Sequence, residues 1–472
     1  MSIRLQLPCR AHLLSVSVLV LLTSVLTAAA GLRPSPLGPA ATLPVRRQPH
    51  LFTSVTRDGT NGGSDDLGRR RSIPMNGGWV TLGAYFVQLT VGTGDGAVTF
   101  DAIVDTGSSN TAIPSVPCPA CATNAKLYNY SQSPTSSLLR CDEPMCVNCQ
   151  PTAVGSNALP AHWNDSSRCL YRPRACDPNN GACGFGVSYG GSGTATAGST
   201  AIDTICFNGT SLCAPKAYVN MIQQEFPVGT QTTGIVGFAF PANACNPTCQ
   251  PTLLDSMVAG GTLKPQENLF GMCLTNENGG QIDLGAPNPI RYHESEMKYT
   301  EIVQHHWFNI NIKDIRINGV TIGVPAFLYQ VRNDAIGSFV DSGTSTVLVS
   351  PFAFQQMQAV MMGGQYAQLP GVTALWSGQP TACANFSNPQ SDIAQYPRFD
   401  FVVAGYKGLE DFHVSMTGAN YLMPVGGNQY CLGIAGVPSI GVILGDIIMA
   451  NYYIVFDRAG GKLGFAPLLS CD

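Results

Sequence analysis

Charge is what this 472-residue sequence has least of. Asp, Glu, Lys and Arg make up 11% of it, against roughly 25% in an ordinary soluble protein. The charge present is also segregated. Residues 1–75 hold nine of the 25 basic side chains and three of the 29 acidic ones, so residues 76–472 keep 16 basic and 26 acidic, a net −10. A body of that sign argues against binding nucleic acid. Histidine is sparse too: beyond residue 75 there are only His162, His293, His305, His306 and His413. None sits in a His-Glu-x-x-His pattern, and no Gly-x-Ser-x-Gly elbow occurs, which excludes the common zinc-peptidase and serine-hydrolase arrangements. Phosphate loops and dinucleotide fingerprints are missing as well. His305-His306-Trp307 reads as a strand edge rather than a ligand pair. Beyond the N-terminal region no stretch is long and apolar enough to cross a bilayer, so no C-terminal membrane anchor is expected.

What is present begins with Arg4 and Arg10, then an apolar run from about Leu13 to Ala30. Ala28-Ala29-Ala30 before Gly31 reads as a cleavage site, so residues 1–30 are expected to be a signal peptide, with an uncleaved signal anchor as the alternative. Of 17 Cys, Cys9 lies in that segment and 16 remain, an even number suited to an oxidising lumen. Sequons at Asn129, Asn164, Asn208 and Asn385 fit the same route. Residues 31–75 carry seven Arg and three Asp, a net +4, with Arg69-Arg70-Arg71 near their end. A basic leader ahead of an acidic body can be held electrostatically and released as carboxylates protonate, which is the behaviour of an acid-activated pro-segment. A disordered basic linker is the alternative.

Two tripeptides carry the chemistry: Asp105-Thr106-Gly107 and Asp341-Ser342-Gly343, 236 residues apart. One such triplet alone reads as a surface turn. Here each follows an apolar run ending in Val, Phe100–Val104 in one case and Ile336–Val340 in the other. Each is followed later by a hydrophobic-Gly element, Ile235-Val236-Gly237 and Ile443-Leu444-Gly445. The order occurs twice, as a degenerate internal repeat of one large unit. A carboxylate ending a buried strand on a glycine turn is rigid, yet can face a cleft. Two of them in one site hold one proton between them, because like charges at close range resist joint ionisation. One is then a general base and the other a general acid, enough to activate water against an amide without metal, Cys or Ser.

The composition along the chain is that of a mostly β protein with a few short helices. Gly83 to Val91 alternates as a strand, and a Gly-Thr-Gly-Asp-Gly turn leads to a second strand into Asp105. Helices are expected over Pro251–Ala259 and from Pro351, capped by Ser350, to Met361, with Phe352, Ala353, Met357, Val360 and Met361 on one face. The stretch 115–185 is rich in Cys, Pro, Ser and Asn. Its Cys118/Cys121 and Cys146/Cys149 pairs admit a zinc reading, but their spacing and the secretory route favour disulfides.

These residues resemble the pepsin-like aspartic endopeptidases over nearly all of 80–472. Asp105-Thr106-Gly107-Ser108-Ser109-Asn110 is similar to that family's first catalytic motif and Asp341-Ser342-Gly343-Thr344 to its second. The resemblance implies two β-barrel-like lobes with a cleft between them: an N-terminal lobe over 76–280 and a C-terminal lobe over 281–472. It implies that Asp105 and Asp341 bind the attacking water. Thr106 and Ser342 would support the carboxylates through their hydroxyls, and Ser108 and Thr344 would bond the outer oxygens. Gly107 and Gly343 would let the backbone approach closely. Val187-Ser188-Tyr189-Gly190-Gly191 resembles the flap, a hairpin closing over substrate with Tyr189 on it; an ordinary hairpin is the alternative. The Cys-rich insert is similar to that of nepenthesin-type plant enzymes, and the second lobe resembles the memapsin group. Ala112 stands where most pepsins have a Trp.

With a lobe boundary near Gly280, the first lobe has 13 Cys and the second three, Cys383, Cys431 and Cys471. Complete pairing then needs a bridge between lobes. Cys273–Cys471 is the candidate, which is also the memapsin pattern. Cys383–Cys431 would lie within the second lobe, and Cys206–Cys213 and Cys245–Cys249 would close short loops. The resemblance implies an acid-acting endopeptidase made as a zymogen. It would need no cofactor or metal, take an extended peptide or protein as substrate, and act as a monomer, secreted or in the lumen of an acidic vacuole or lysosome. The alternatives are a catalytically silent binding or inhibitor protein on the same fold and a signal-anchored processing protease.

Overall fold

The computed structural model describes residues 71–471 other than 79–82, 120, 122–124, 141, 147–180, 190–193, 227–233, 245–248 and 380–381. The signal segment, most of the basic leader, Gly190, Cys245 and much of the Cys-rich stretch lie outside the described residues. The fold is mostly β and bilobal. Its centre is one strand pattern built twice. In the first half Val98–Asp105 pairs in parallel with Gly234–Gly237, which pairs antiparallel with Thr111–Pro114, itself parallel to Cys213–Phe226. In the second half Ser338–Val340 pairs in parallel with Val442–Leu444. That strand pairs antiparallel with Val347–Val349, itself parallel to Ile434–Gly436. Each Asp-Thr/Ser-Gly loop therefore joins the two strands that clasp the hydrophobic-Gly strand of its own half. Val and Ile fill these short strands, and Thr111–Pro114, Gly234–Gly237, Val347–Val349 and Val442–Leu444 are buried throughout. Unbroken apolar runs suit strands covered on both faces.

A third group of strands ties the halves together. Its order is Lys298–Glu301, Lys462–Pro467, Tyr452–Asp457, Leu269–Leu274, Gly280–Leu284 and Arg71–Gly78. The strand Arg71–Gly78 spans the boundary drawn at residue 75 between leader and body. Ile73 and Met75 are both buried, while Ser72 and Pro74 are exposed, and Arg71 to Met75 pair with Leu284 to Gly280. Charge counting misses this alternation because the three arginines precede it. The Cys273–Cys471 disulfide fastens the last residues to the same sheet.

The first helix begins at Leu253, two residues later than expected, and ends at Ala259. The Thr252 hydroxyl and the Asp255 side chain form a reciprocal capping box there. The second runs Pro351–Met361, and Ala353 N–H donates to the capping Ser350 hydroxyl. Its buried stripe is Ala353, Met357 and Met361, at four-residue spacing. Phe352, expected on that face, is exposed because it is one position, about 100° of turn, away from Ala353.

Candidate active site

Each catalytic-motif carboxylate is gripped by its own loop. Gly107 N–H donates to Asp105 Oδ1 at 2.7 Å and Ser108 Oγ to Asp105 Oδ2 at 2.5 Å. Gly343 N–H donates to Asp341 Oδ1 at 2.8 Å and Thr344 Oγ1 to Asp341 Oδ2 at 2.7 Å. The glycine after each Asp supplies its N–H because the loop turns straight back. The hydroxyl three residues on reaches the other oxygen.

The two loops also hold each other. Thr106 Oγ1 donates to Val340 O at 3.1 Å and accepts from Ser342 N–H at 2.9 Å. Ser342 Oγ donates to Val104 O at 2.8 Å and accepts from Thr106 N–H at 3.2 Å. These four bonds obey the same twofold relation as the strands. Thr106 and Ser342 thus brace the opposite loop's backbone, and in the structure their hydroxyls do not bond the carboxylates as the resemblance implied. A backbone N–H and C=O at the start of each loop would otherwise be buried without partners.

The approach of the two loops is close enough to require glycine. A Cβ on Gly107 would lie 2.6 Å from Asp341 Oδ1, and one on Gly343 would collide with Asp105 Oδ1. Asp105 and Asp341 are both buried. Burial pushes Asp105 above the ordinary carboxyl value, opposed by the Ser108 hydroxyl, the Gly107 N–H and a hydrogen bond with Asp341. Asp341 is pushed well above it, by burial first and then by the charge of Asp105. The pair is thereby disposed to share one proton. Asp446, directly after Ile443-Leu444-Gly445, is a third buried carboxyl. Burial raises it well above the usual range, and the charges of Asp341 and Asp105 add to this. Neither of its carboxyl oxygens has a hydrogen-bond partner among the described residues.

Around the loops, Trp307 Nε1 donates to Gly107 O at 2.8 Å and Asn243 Nδ2 to the same oxygen at 3.0 Å. His305-His306-Trp307, read as a strand edge, is a tight turn in which His305 bridges Phe308 and Trp307 points inward. No sequence signal for this role was available beyond a lone Trp in an apolar context. The flap-like segment Gly184–Tyr189 forms a hairpin with Thr194–Phe207 and ends with Tyr189 opposite Thr194. Its tip, with Gly190, lies outside the described residues. Ala112 is fully buried in an apolar cluster with Ile103, Phe185, Ile222 and Ile235.

Disulfides join Cys118 to Cys121, Cys146 to Cys183, Cys206 to Cys213, Cys273 to Cys471 and Cys383 to Cys431. Cys118, Cys121 and Cys146 are therefore not free thiolates for zinc. Cys249 is also disulfide-bonded. Among the described residues no cluster of three or more His, Cys, Asp or Glu could hold a metal ion, and no helix is long and apolar enough to cross a membrane.

Comparison with known proteins agrees with this geometry. A family model described as "Eukaryotic aspartyl protease" matches residues 84–142 and 171–468. The gap between the two blocks falls inside the Cys-rich stretch. Penicillopepsin-1 of Penicillium janthinellum is 26% identical over 318 residues, 66% of this chain and 87% of that protein. Cathepsin E of Aquarana catesbeiana is 24% identical over 397 residues, 82% of this chain and 79% of its own length. Aspartic proteinase 36 of Arabidopsis thaliana is 23% identical over 411 residues, covering 82% and 74% of the two chains. The matched blocks include both Asp-Thr/Ser-Gly loops and most of the described strands, and on that ground the chain belongs to the eukaryotic aspartyl protease family.

Proposed function

We propose that this protein is an acid-acting aspartic endopeptidase in which Asp105 and Asp341 activate one water between them. The observation that carries the reading is the pair of mirrored, cross-braced loops that bring two buried carboxyl groups together. In the proposed cycle Asp105 takes a proton from water as its oxygen attacks the peptide carbonyl carbon. Asp341 gives its proton to the carbonyl oxygen. Asp105 then passes the proton to the amide nitrogen, the C–N bond breaks, and Asp341 recovers a proton from the collapsing diol. Both groups must share one proton at the start, so activity belongs to acidic pH. An extended peptide lies between the lobes under the hairpin that carries Tyr189, which would exclude water on closing.

The basic leader and the signal-like N-terminus support synthesis as a zymogen on the secretory route, toward an acidic lumen or the outside. Names of relatives such as cathepsins D and E fit a peptide-cleaving role. Asp105→Asn and Asp341→Asn each keep the side-chain shape but cannot cycle the proton. Each is expected to lower turnover of an acid-cleaved peptide by about 10²–10⁴-fold or more, with melting temperature little changed. Near-normal turnover in either variant would remove the pair from the mechanism. An unmodified protein that cleaves no peptide at any pH would instead favour the silent-binder alternative.

A further inference from the structure

We propose that Trp307 is a positioning residue for the dyad: its indole N–H, with the Asn243 amide, fixes and polarises the Gly107–Ser108 peptide that serves Asp105. The inference rests on the reading of Asp105 and Asp341 as the reacting pair. It begins from the two donors on one oxygen, Trp307 Nε1 at 2.8 Å and Asn243 Nδ2 at 3.0 Å from Gly107 O. That carbonyl belongs to the same planar peptide unit as the Ser108 N–H. Ser108 N–H is one of the backbone donors that favour the ionised form of Asp105. A donor on the carbonyl side draws electron density through the amide and makes its N–H a stronger donor on the other side.

The indole is well placed to act as a fixed support. Trp307 is 4% exposed and stacks on Phe339, with ring centroids 5.5 Å apart and planes 25° apart. Phe339 lies in Ser338–Val340, the strand that leads into Asp341. Trp307 is therefore seated on the strand that delivers the second carboxyl while it holds the loop that delivers the first. Phe240, just past the hydrophobic-Gly strand of the first half, donates its N–H to His306 O at 3.4 Å, and Ser109 Oγ donates to Phe240 O at 2.6 Å. The turn at 305–308 is thus tied to the first loop by more than the indole. The titratable groups facing Asp105 are Asp341 on the opposing loop and Asp446 behind it. His306, beside Trp307 with ring centroids 5.9 Å apart, is held toward its neutral form by burial. None of these groups is altered by removing the indole N–H.

The test replaces Trp307 with 3-benzothienylalanine, which keeps the bicyclic shape and puts sulfur where the N–H was, and pairs it with Trp307→Phe and Asn243→Ala. Loss of the donor is expected to lower kcat about five- to tenfold with KM nearly unchanged. Weaker N–H bonds to ionised Asp105 make it a weaker acid, so the acid limb of the kcat–pH profile should move to higher pH. Asn243→Ala, acting on the same oxygen, should move it the same way. A lower melting temperature with the acid limb in place would mean that Trp307 is only a packing residue, and the inference would fall. Asp105→Asn measured alongside separates the two levels. If Asp105→Asn keeps its turnover, the dyad reading fails. If Asp105→Asn is dead and the benzothienyl protein matches the parent in kcat and acid limb, only the positioning role fails.

Discussion

At the scale of single residues, Asp446 is the carboxyl for which the proposed chemistry has no task. Its side chain is buried, and burial together with Asp341 and Asp105 raises its affinity for a proton. A carboxyl whose folded value stands above its unfolded one contributes stability that is complete below the unfolded value. That contribution is lost as pH rises through the folded value. Wild-type protein should therefore lose stability as pH climbs from the ordinary Asp range toward neutrality. Asp446→Asn, permanently uncharged, should lose less over the same interval. Denaturant midpoints at a series of pH values, taken in an Asp105→Asn background to prevent self-digestion, measure the difference. Parallel curves for the two proteins would assign the pH dependence elsewhere. Asp105 and Asp341 were legible in the sequence because two weak motifs recur with the same apolar approach. Asp446 was visible only as the residue after Leu444-Gly445. Its solitude depends on which polar groups the fold brings near, and spacing carries no information about that. Trp307 was less legible still, since its partner lies 200 residues away.

At the scale of elements, the two Asp-Thr/Ser-Gly loops are stable as a pair and not singly. Each starts with a hydroxyl residue whose side chain finishes the backbone hydrogen bonding of the other. Thr106→Val keeps the shape but leaves the Ser342 N–H and the Val340 carbonyl without that partner. At roughly 1–3 kcal/mol for each buried group left unsatisfied, the cost should be about 2–5 kcal/mol. Urea unfolding of the variant is expected to show this loss together with a fall in kcat, since both carboxylates lose their fixed separation. A variant with unchanged stability would mean that the loops relax onto other partners. The sequence pointed to supportive hydroxyls at 106 and 342 but not to their targets. Reach across a pseudo-twofold axis follows from the mirrored strand pairing, which no local pattern encodes. The helix Pro351–Met361 makes the same point on a smaller scale. Its cap and ends were readable from Ser350 and Pro351, while the inward face was settled by the four-residue spacing of Ala353, Met357 and Met361.

At the scale of the whole molecule, the sheet between the halves takes strands from both ends of the chain, and this bears on where a leader can be removed. Within Arg71–Gly78, residues 71–75 pair with Gly280–Leu284 and residues 76–78 with residues 84–86 of Ala84–Val91. Arg71 Nη1 donates to Thr262 O at 2.5 Å, and Ser72 Oγ bonds Asp283, which is itself held by Arg291 at 2.7 Å. Ile73 and Met75 are each 3% exposed. Burying two such side chains contributes about 1.5–3 kcal/mol each, so losing this strand would strip a substantial share of a domain's net stability. The pairing of residues 71–75 with Gly280–Leu284 was not legible in a segment marked chiefly by its arginines. A net +4 leader before a net −10 body still supports an inhibitory pro-segment. We propose that the leader is cut at Arg69-Arg70-Arg71, before the paired strand, rather than near Asn76. Protein beginning at Gly31 should be inactive near neutral pH and, once activated, should yield an N-terminus between Arg70 and Ser72 on sequencing. Replacing Arg69, Arg70 and Arg71 with Ala should block trimming by a basic-residue convertase and spare acid-driven self-cleavage. An active product beginning at Asn76 or later would show that the strand is dispensable. Full activity of protein beginning at Gly31, with no trimming, would make residues 31–70 a linker.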